Sequence, residues 1–140
     1  MQYFPKTTSP PQAWVEKYIA HHASHWQEHG YGHWAVVTKS DERVMGWTGL
    51  EYLPELNQTE IAYLLSGEVQ GRGYATEAAQ AALTFGFEIC RLEEIIGLVH
   101  PQNAASIRVL EKCGLLFQDA LELWGMELLR YRASNSQLSA

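Results

Sequence analysis

LLSGEVQGRGYATEAAQ, residues 64–80, is the stretch on which the reading of the whole chain turns. Gly67, Gly71 and Gly73 fall within seven residues and run straight into an alanine-rich segment. Glycine removes Cβ where a backbone must turn with positive φ or approach something closely. A helix start presents unpaired N–H groups and the positive end of its dipole. Strand, glycine loop and helix N-terminus is thus a recipe for holding a phosphate, yet equally the description of a plain tight turn. Two nucleotide patterns fail here. No Lys-Ser or Lys-Thr follows the glycines as in a P-loop, and Thr76 stands where a dinucleotide fingerprint needs its last glycine.

Working outward, "SPPQ" opens a helix with Ser9 as N-cap, Pro10 at the first helical position and Gln12 closing a capping box. Val15, Tyr18, Ile19, His22 and Trp26 follow at helical spacing, and Gly30 is the stop. "HWAVVT", "RVMGWTGLEYL" and "EIAYLL" read as three strands of an antiparallel meander joined by "KSDE" and "PELNQT". Beyond the glycines, Ala75, Ala79, Ala82, Leu83, Gly86 and Cys90 share one helical face, mostly small, which lets the helix lie close on a sheet. "EEIIGLV" is a nearly all-apolar strand, as a position covered on both faces requires. "NAASIRVLEKCG" is a helix ended by Gly114, and "LLFQDALELW" and "MELLRYRA" are two antiparallel strands around Gly125. The order α-β-β-β-α-β-α-β-β predicts a mixed α/β (α+β) sheet of about six mainly antiparallel strands with three helices.

The chain of 140 residues is long enough for one self-sufficient core, and we read residues 1–140 as a single domain. With 46% hydrophobic and 19% charged residues it has a globular composition. No apolar run reaches membrane-spanning length, and "MQYFPKTTSPP" lacks a signal-peptide core. Cys90 and Cys113 have no metal-type spacing and suit a reducing cytoplasm. A net charge of -6 argues against nucleic acid as a partner and mildly favours a cationic one. His21, His25 and His29 recur every four residues, a spacing able to hold a metal. With no carboxylate or cysteine in the pattern, the expectation is a solvated helix face and no metal site.

"QGRGYATEA" resembles the acyl-CoA loop of the GNAT N-acetyltransferases, [QR]-x-x-G-x-[GA], filled in order by Gln70, Gly73 and Ala75. The continuation "GYATEA", with "N-x-x-S-x-x-V-L-E-K-x-G" (Asn103, Ser106, Val109, Leu110, Glu111, Lys112, Gly114), is similar to the RimJ/RimL-type branch. That resemblance implies that backbone N–H groups around Gly71, Arg72, Gly73, Tyr74, Ala75 and Thr76 hold the CoA pyrophosphate. It implies that Leu65 pairs its backbone with the pantetheine arm and supplies an oxyanion donor, while Asn103 bonds the arm from the other side. Arg72 adds charge near a phosphate or is a solvated loop arginine. The implied activity is acetyl transfer from acetyl-CoA to a primary amine, a small molecule or a peptide N-terminus, in a ternary complex.

Such transfer needs a neutral amine, a stabilised oxyanion and a leaving thiolate. Deprotonating a lysine-type amine at neutral pH costs about 4–5 kcal/mol, but an α-amine only about 1.5 kcal/mol. A base therefore matters for a side-chain amine. Glu60 is the candidate, against its reading as an exposed strand-edge carboxylate. The tyrosine that many relatives use as thiolate acid corresponds to Leu110, which cannot donate a proton. The resemblance points instead to Ser106, against its reading as a helix-start residue bonding its own backbone. Trp47 and Tyr52 are candidates to line the acceptor pocket.

The resemblance covers roughly residues 1–132. Relative to the family, a first strand and first helix are expected to be missing, which would leave an edge on "HWAVVT" for a second subunit, most simply in a homodimer. A non-catalytic acyl-CoA-binding module on the same fold is the alternative.

Overall fold

The structure is a computed structural model that describes residues 12–37, 44–65 and 73–135. Three helices and six strands follow one another as α1 (Gln12–His29), β1 (His33–Val37), β2 (Val44–Leu53), β3 (Gln58–Leu65), α2 (Tyr74–Thr84), β4 (Glu94–Val99), α3 (Ala104–Lys112), β5 (Leu116–Leu123) and β6 (Met126–Ser134). The element order is the one the sequence predicts. The N-terminal capping signals at Ser9 and Pro10 and the "KSDE" turn lie outside the described residues.

One six-stranded sheet runs β1-β2-β3-β4-β6-β5. Every neighbouring pair is antiparallel except β3 and β4, which are parallel and share a single register pair, Glu60 with Ile96. Beyond that pair β3 continues to Leu65 and β4 to Val99 without further pairing, so the sheet opens between their C-terminal ends. The β1–β2–β3 half and the β4–β6–β5 half are each antiparallel ladders on either side of this opening, with one register shift in β1 and one in β5.

Strand alternation sorts the two faces. Leu50, Ile61, Ile95 and Val99 point to one face and join Ala79, Ala82 and Leu83 of α2 and Leu110 of α3 in the main core. The helices lie close because the facing positions are small. A Cβ on Gly86 would come within 2.7 Å of Ile95 and 2.8 Å of Leu50, and one on Gly97 within 2.7 Å of Leu110. The α2 segment departs from expectation at its end. Rather than running on as α-helix it passes into a π-helical turn, Phe85–Ile89, closed by Cys90 N–H to Phe85 O. The wider turn sets Gly86 against β2 and β4 and sends the chain on to β4.

Two termini are built as the glycines predict. Gly114 (φ 91) follows α3 with its N–H on Glu111 O, and Leu115 N–H reaches Leu110 O. This is the paired bonding of a Schellman motif, with Leu110 and Leu115 both buried as its apolar contact. Trp124 and Gly125, both at positive φ, form the two-residue turn between β5 and β6.

The face away from α2 and α3 is also covered, since Leu53, Ile96 and Leu128 are buried there. The β5–β6 hairpin supplies part of the cover. In a flat sheet β5 would stand three strand spacings, about 14 Å, from β3. Instead Trp124 Nε1 at the hairpin tip donates to Glu55 in the β2–β3 turn at 3.1 Å, and Arg130 Nη1 donates to Gln58 at 2.8 Å. The hairpin therefore curls back across the sheet toward the start of β3. A bidentate pair from Arg130 to Asp119 (2.8 and 2.6 Å) ties its two strands together.

Helix α1 carries the clearest correction. The stripe His21, His25, His29 is not a solvated face. His21 is exposed, but His25 is buried at 6% exposure and His29 is half-buried. β1 begins only at His33, opposite Gly49, so the next stretch of β2 has no β1 neighbour. His25 takes over that edge: its Nε2 accepts the Tyr52 N–H at 2.8 Å, and its Nδ1 bonds Tyr31 O at 2.9 Å. These partners fix the neutral tautomer with the proton on Nδ1. Burial, above all, holds its pKa below the ordinary histidine value.

Candidate functional site

The opening between β3 and β4 is flanked by the N-termini of α2 and α3, which follow those two strands in the chain. Gly73 is the N-cap residue of α2 and stands at φ 79, a left-handed conformation that L side chains adopt only with strain. No described residue lies within 4 Å of where its Cβ would be, and the residue is exposed. The glycine is thus needed for the turn, and no described residue fills the space in front of it. The N–H groups of Gly73, Tyr74, Ala75 and Thr76 belong to the N-terminal turn that an α-helix leaves without internal partners. Gln70, Gly71 and Arg72 lie outside the described residues.

Asn103 is the N-cap residue of α3, and its Oδ1 accepts Ser106 N–H at 3.1 Å. The backbone N–H of Ser106 is thereby occupied and its hydroxyl is turned to another partner. Tyr63, on β3, places its phenol oxygen 2.8 Å from Ser106 Oγ and donates to Ser106 O at 3.2 Å. The hydroxyl therefore bonds across the opening rather than only to its own helix. Burial drives the Tyr63 phenol up to about 12, against the opposing hydrogen bond from Ser106, so it is neutral at physiological pH. Sequence reading overlooked Tyr63. The available signal was a phenol between Ile61 and Leu65 on one side of the strand, because a buried phenol needs a polar partner.

Leu110, the position corresponding to the tyrosine acid of many relatives, is fully buried and packed on Gly97. Its side chain belongs to the core and takes no part in the opening. Leu65 is the last residue of β3 and pairs with Gly46 of β2. β4 does not pair with it on the other side, so its backbone borders the opening.

Glu60 sits where the opening begins, on the face opposite Tyr63. It is half-buried on the third strand of six, which removes the reading as an edge carboxylate. Burial pushes its carboxyl up to about 8, and the Glu51 carboxylate directly across on β2 adds to the rise. Glu51 in turn lies 3.2 Å from His33 Nε2 and 3.5 Å from His21 Nε2. Trp47 shares this face, stacked on His33 with ring centroids 4.5 Å apart. Tyr52 does not: it points to the opposite face, where it contacts His29 at 5.0 Å and bonds Asn57. The expectation that Trp47 and Tyr52 line one pocket together is corrected by this alternation.

The arrangement has two sides that meet at the opening. A cradle of helix N-termini with the Tyr63–Ser106 pair lies on one side, and a carboxyl able to exchange a proton near neutral pH lies on the other. Among the described residues no His, Cys, Asp or Glu cluster could hold a metal, and no helix is long and apolar enough to cross a membrane.

Comparison with known proteins adds four findings. A family model described as the acetyltransferase (GNAT) domain matches residues 1–116. The chain is 35% identical over 108 residues to the uncharacterized protein YkkB of Bacillus subtilis, covering 74% of this chain and 63% of that one. It is 32% identical over 77 residues to the spermidine N(1)-acetyltransferase of Escherichia coli strain K12, covering 52% and 41% respectively. The chain thus spans less than two thirds of these relatives. Among solved structures, an acetyltransferase from Agrobacterium tumefaciens superposes with a TM-score of 0.78 at 27% identity, over 91% of this chain and 74% of that one.

Proposed function

Because the chain belongs to the GNAT acetyltransferase family, we propose that it moves an acetyl group from acetyl-CoA to a primary amine by direct attack within a ternary complex. The observation that carries this reading is the opening between β3 and β4, with Gly73 and Ser106 on its helix side and Glu60 at its floor. The N–H groups of residues 73–76 suit the pyrophosphate, because they stand at the start of a helix whose dipole favours an anion and no described residue covers Gly73. Gln70, Gly71 and Arg72 complete this cradle in the family pattern. The β4-facing edge of β3 from Ile61 to Leu65 suits the amide-bearing pantetheine arm, with the Leu65 N–H as oxyanion donor and Asn103 bonding the arm from α3.

Glu60 is the proton acceptor in this scheme. A carboxyl that titrates near 8 is matched to taking a proton from an amine close to neutral pH, directly or through one water. Ser106 hydrogen-bonds the departing thiolate; a thiol of ordinary pKa leaves readily, so a neutral donor suffices. Sequence motifs favour the RimJ/RimL-like branch, whose acceptors are peptide N-termini and small amines. The similarity to a spermidine acetyltransferase supports a primary amine as acceptor without fixing which one. Free Cys90 and Cys113 accord with a cytoplasmic protein. Among the described residues β1 has one strand neighbour, and a homodimer that covers its open edge is the assembly we expect.

The core position of Leu110 favours one second reading, a non-catalytic acyl-CoA-binding module. A thermal shift with acetyl-CoA, run beside thiol release on a panel of amines, separates the two. Stabilisation with amine-dependent thiol release supports the enzyme; stabilisation without release on any amine supports the binder. Absence of both overturns the acyl-CoA site.

A further inference from the structure

We infer that Tyr63 is a positioning residue for the thiolate side of the transfer, holding the Ser106 hydroxyl at the mouth of the β3/β4 opening with its proton directed at the departing sulfur. The inference deepens the acetyl-transfer reading and rests on it. Ser106 Oγ has one proton and two lone pairs. The Ser106 N–H is already bound by Asn103, and Oγ lies 2.8 Å from the Tyr63 phenol. A phenol is a stronger donor than an alkyl hydroxyl and Oγ is the nearer acceptor, so the single Tyr63 proton goes mainly to Ser106 Oγ, with the Ser106 carbonyl as the longer, weaker branch of one bifurcated bond. The serine proton is then available to a third atom. The phenol also reaches the Ser106 carbonyl oxygen at 3.2 Å, and these two contacts pin the serine's backbone and side chain together. Tyr63 reaches across from β3 to α3, one wall of the opening to the other, so the hydroxyl is set relative to both.

The step balances without proton loss from the pair. The amine nitrogen forms a bond to the acetyl carbon, the carbon–sulfur bond breaks, and its electrons go to sulfur. The surplus amine proton leaves to the base. Sulfur departs as a thiolate that accepts a hydrogen bond from Ser106 and takes its proton from water afterwards. Full proton transfer from the pair would leave a tyrosinate, which a phenol titrating near 12 resists when the acceptor is a thiol near 8.5. Tyr63 therefore polarises and orients Ser106, and it does not serve as the acid.

The test is steady-state kinetics on the full chain with Tyr63→Phe, Ser106→Ala and the double variant, together with Ser106→Thr. Phenylalanine keeps the ring and removes only the hydroxyl, so kcat should fall about three- to tenfold, the worth of one neutral hydrogen bond. The KM for acetyl-CoA and its thermal shift should stay within about twofold of the parent. The double variant should be no slower than Ser106→Ala alone, and Ser106→Thr should keep most of the turnover. A purely structural brace would instead raise KM, lower the melting temperature and multiply with Ser106→Ala. That pattern, or unchanged kcat in Tyr63→Phe, overturns the inference while leaving acetyl transfer intact. A parent protein that binds acetyl-CoA but acetylates no amine overturns both.

Discussion

Replacing Glu60 by glutamine should make the protein more stable and less active. Glu60 is half-buried, directly across β2 from the Glu51 carboxylate, and its carboxyl titrates near 8. In the unfolded chain it would titrate near the ordinary carboxylate value of 4.5. Between these values the unfolded chain has released the proton and the folded chain still holds it. The folded state then binds more protons, so its stability falls as pH rises through this window. The ceiling on that loss is about 5 kcal/mol, and partial solvent access brings the expected effect to about 2 kcal/mol. Glu60→Gln removes the titration and keeps the volume. Urea denaturation of both proteins should give equal stability near pH 4.5 and an advantage to the variant that grows to about 2 kcal/mol by pH 8. Activity should move the other way. The parent's kcat/KM should climb toward pH 8, and the variant should lose more with a lysine-type amine than with an α-amine, which needs less help in deprotonation. Parallel stability curves with no growing gap would refute the electrostatic argument. Undiminished turnover on a high-pKa amine would refute the role as base.

His25→Ala should cost about 3 kcal/mol in chemical denaturation, because it strips partners from Tyr52 N–H and Tyr31 O at a sealed sheet edge. His25 is buried neutral with a lowered pKa, so the parent should lose stability as pH falls below the ordinary histidine value, and the variant should lose less. Gly86→Ala should destabilise by about 1–3 kcal/mol despite better helix propensity, since its Cβ would press on Ile95 and Leu50; a stabilised variant in thermal melts would contradict the packing. Gly73→Ala meets no described neighbour but must hold φ 79, so it should cost about 1 kcal/mol, and Gly73→Asn should cost less.

Much of this fold was legible because its punctuation is local. Gly114 and Gly125 mark a helix end and a hairpin turn wherever the rest of the chain goes, and the small residues of α2 announce a close approach to a sheet. The site was legible in outline, since Gly73, Asn103 and Ser106 belong to one recognisable motif pair. What escaped depends on register and tertiary placement. Tyr63 and Ser106 are 43 residues apart, and only the opening of the sheet brings them together. The raised carboxyl of Glu60 follows from facing Glu51, which one residue of slippage on either strand would undo. His25 lies inward because β1 stops short of the end of β2, a length mismatch invisible in the helix's own pattern. The π-helical turn at Phe85–Ile89 has no composition that sets it apart from the α-helix before it.

The central claim is that the opening between β3 and β4 is where acetyl-CoA gives up its acetyl group to an amine. The most direct measurement is thiol release from acetyl-CoA by the full chain, with and without a panel of primary amines, and with Ser106→Ala as the comparison. The account predicts release that depends on the amine, matches the acetylated amine formed mole for mole, and falls in the variant. Release that no amine accelerates, or that Ser106→Ala leaves untouched, would contradict it.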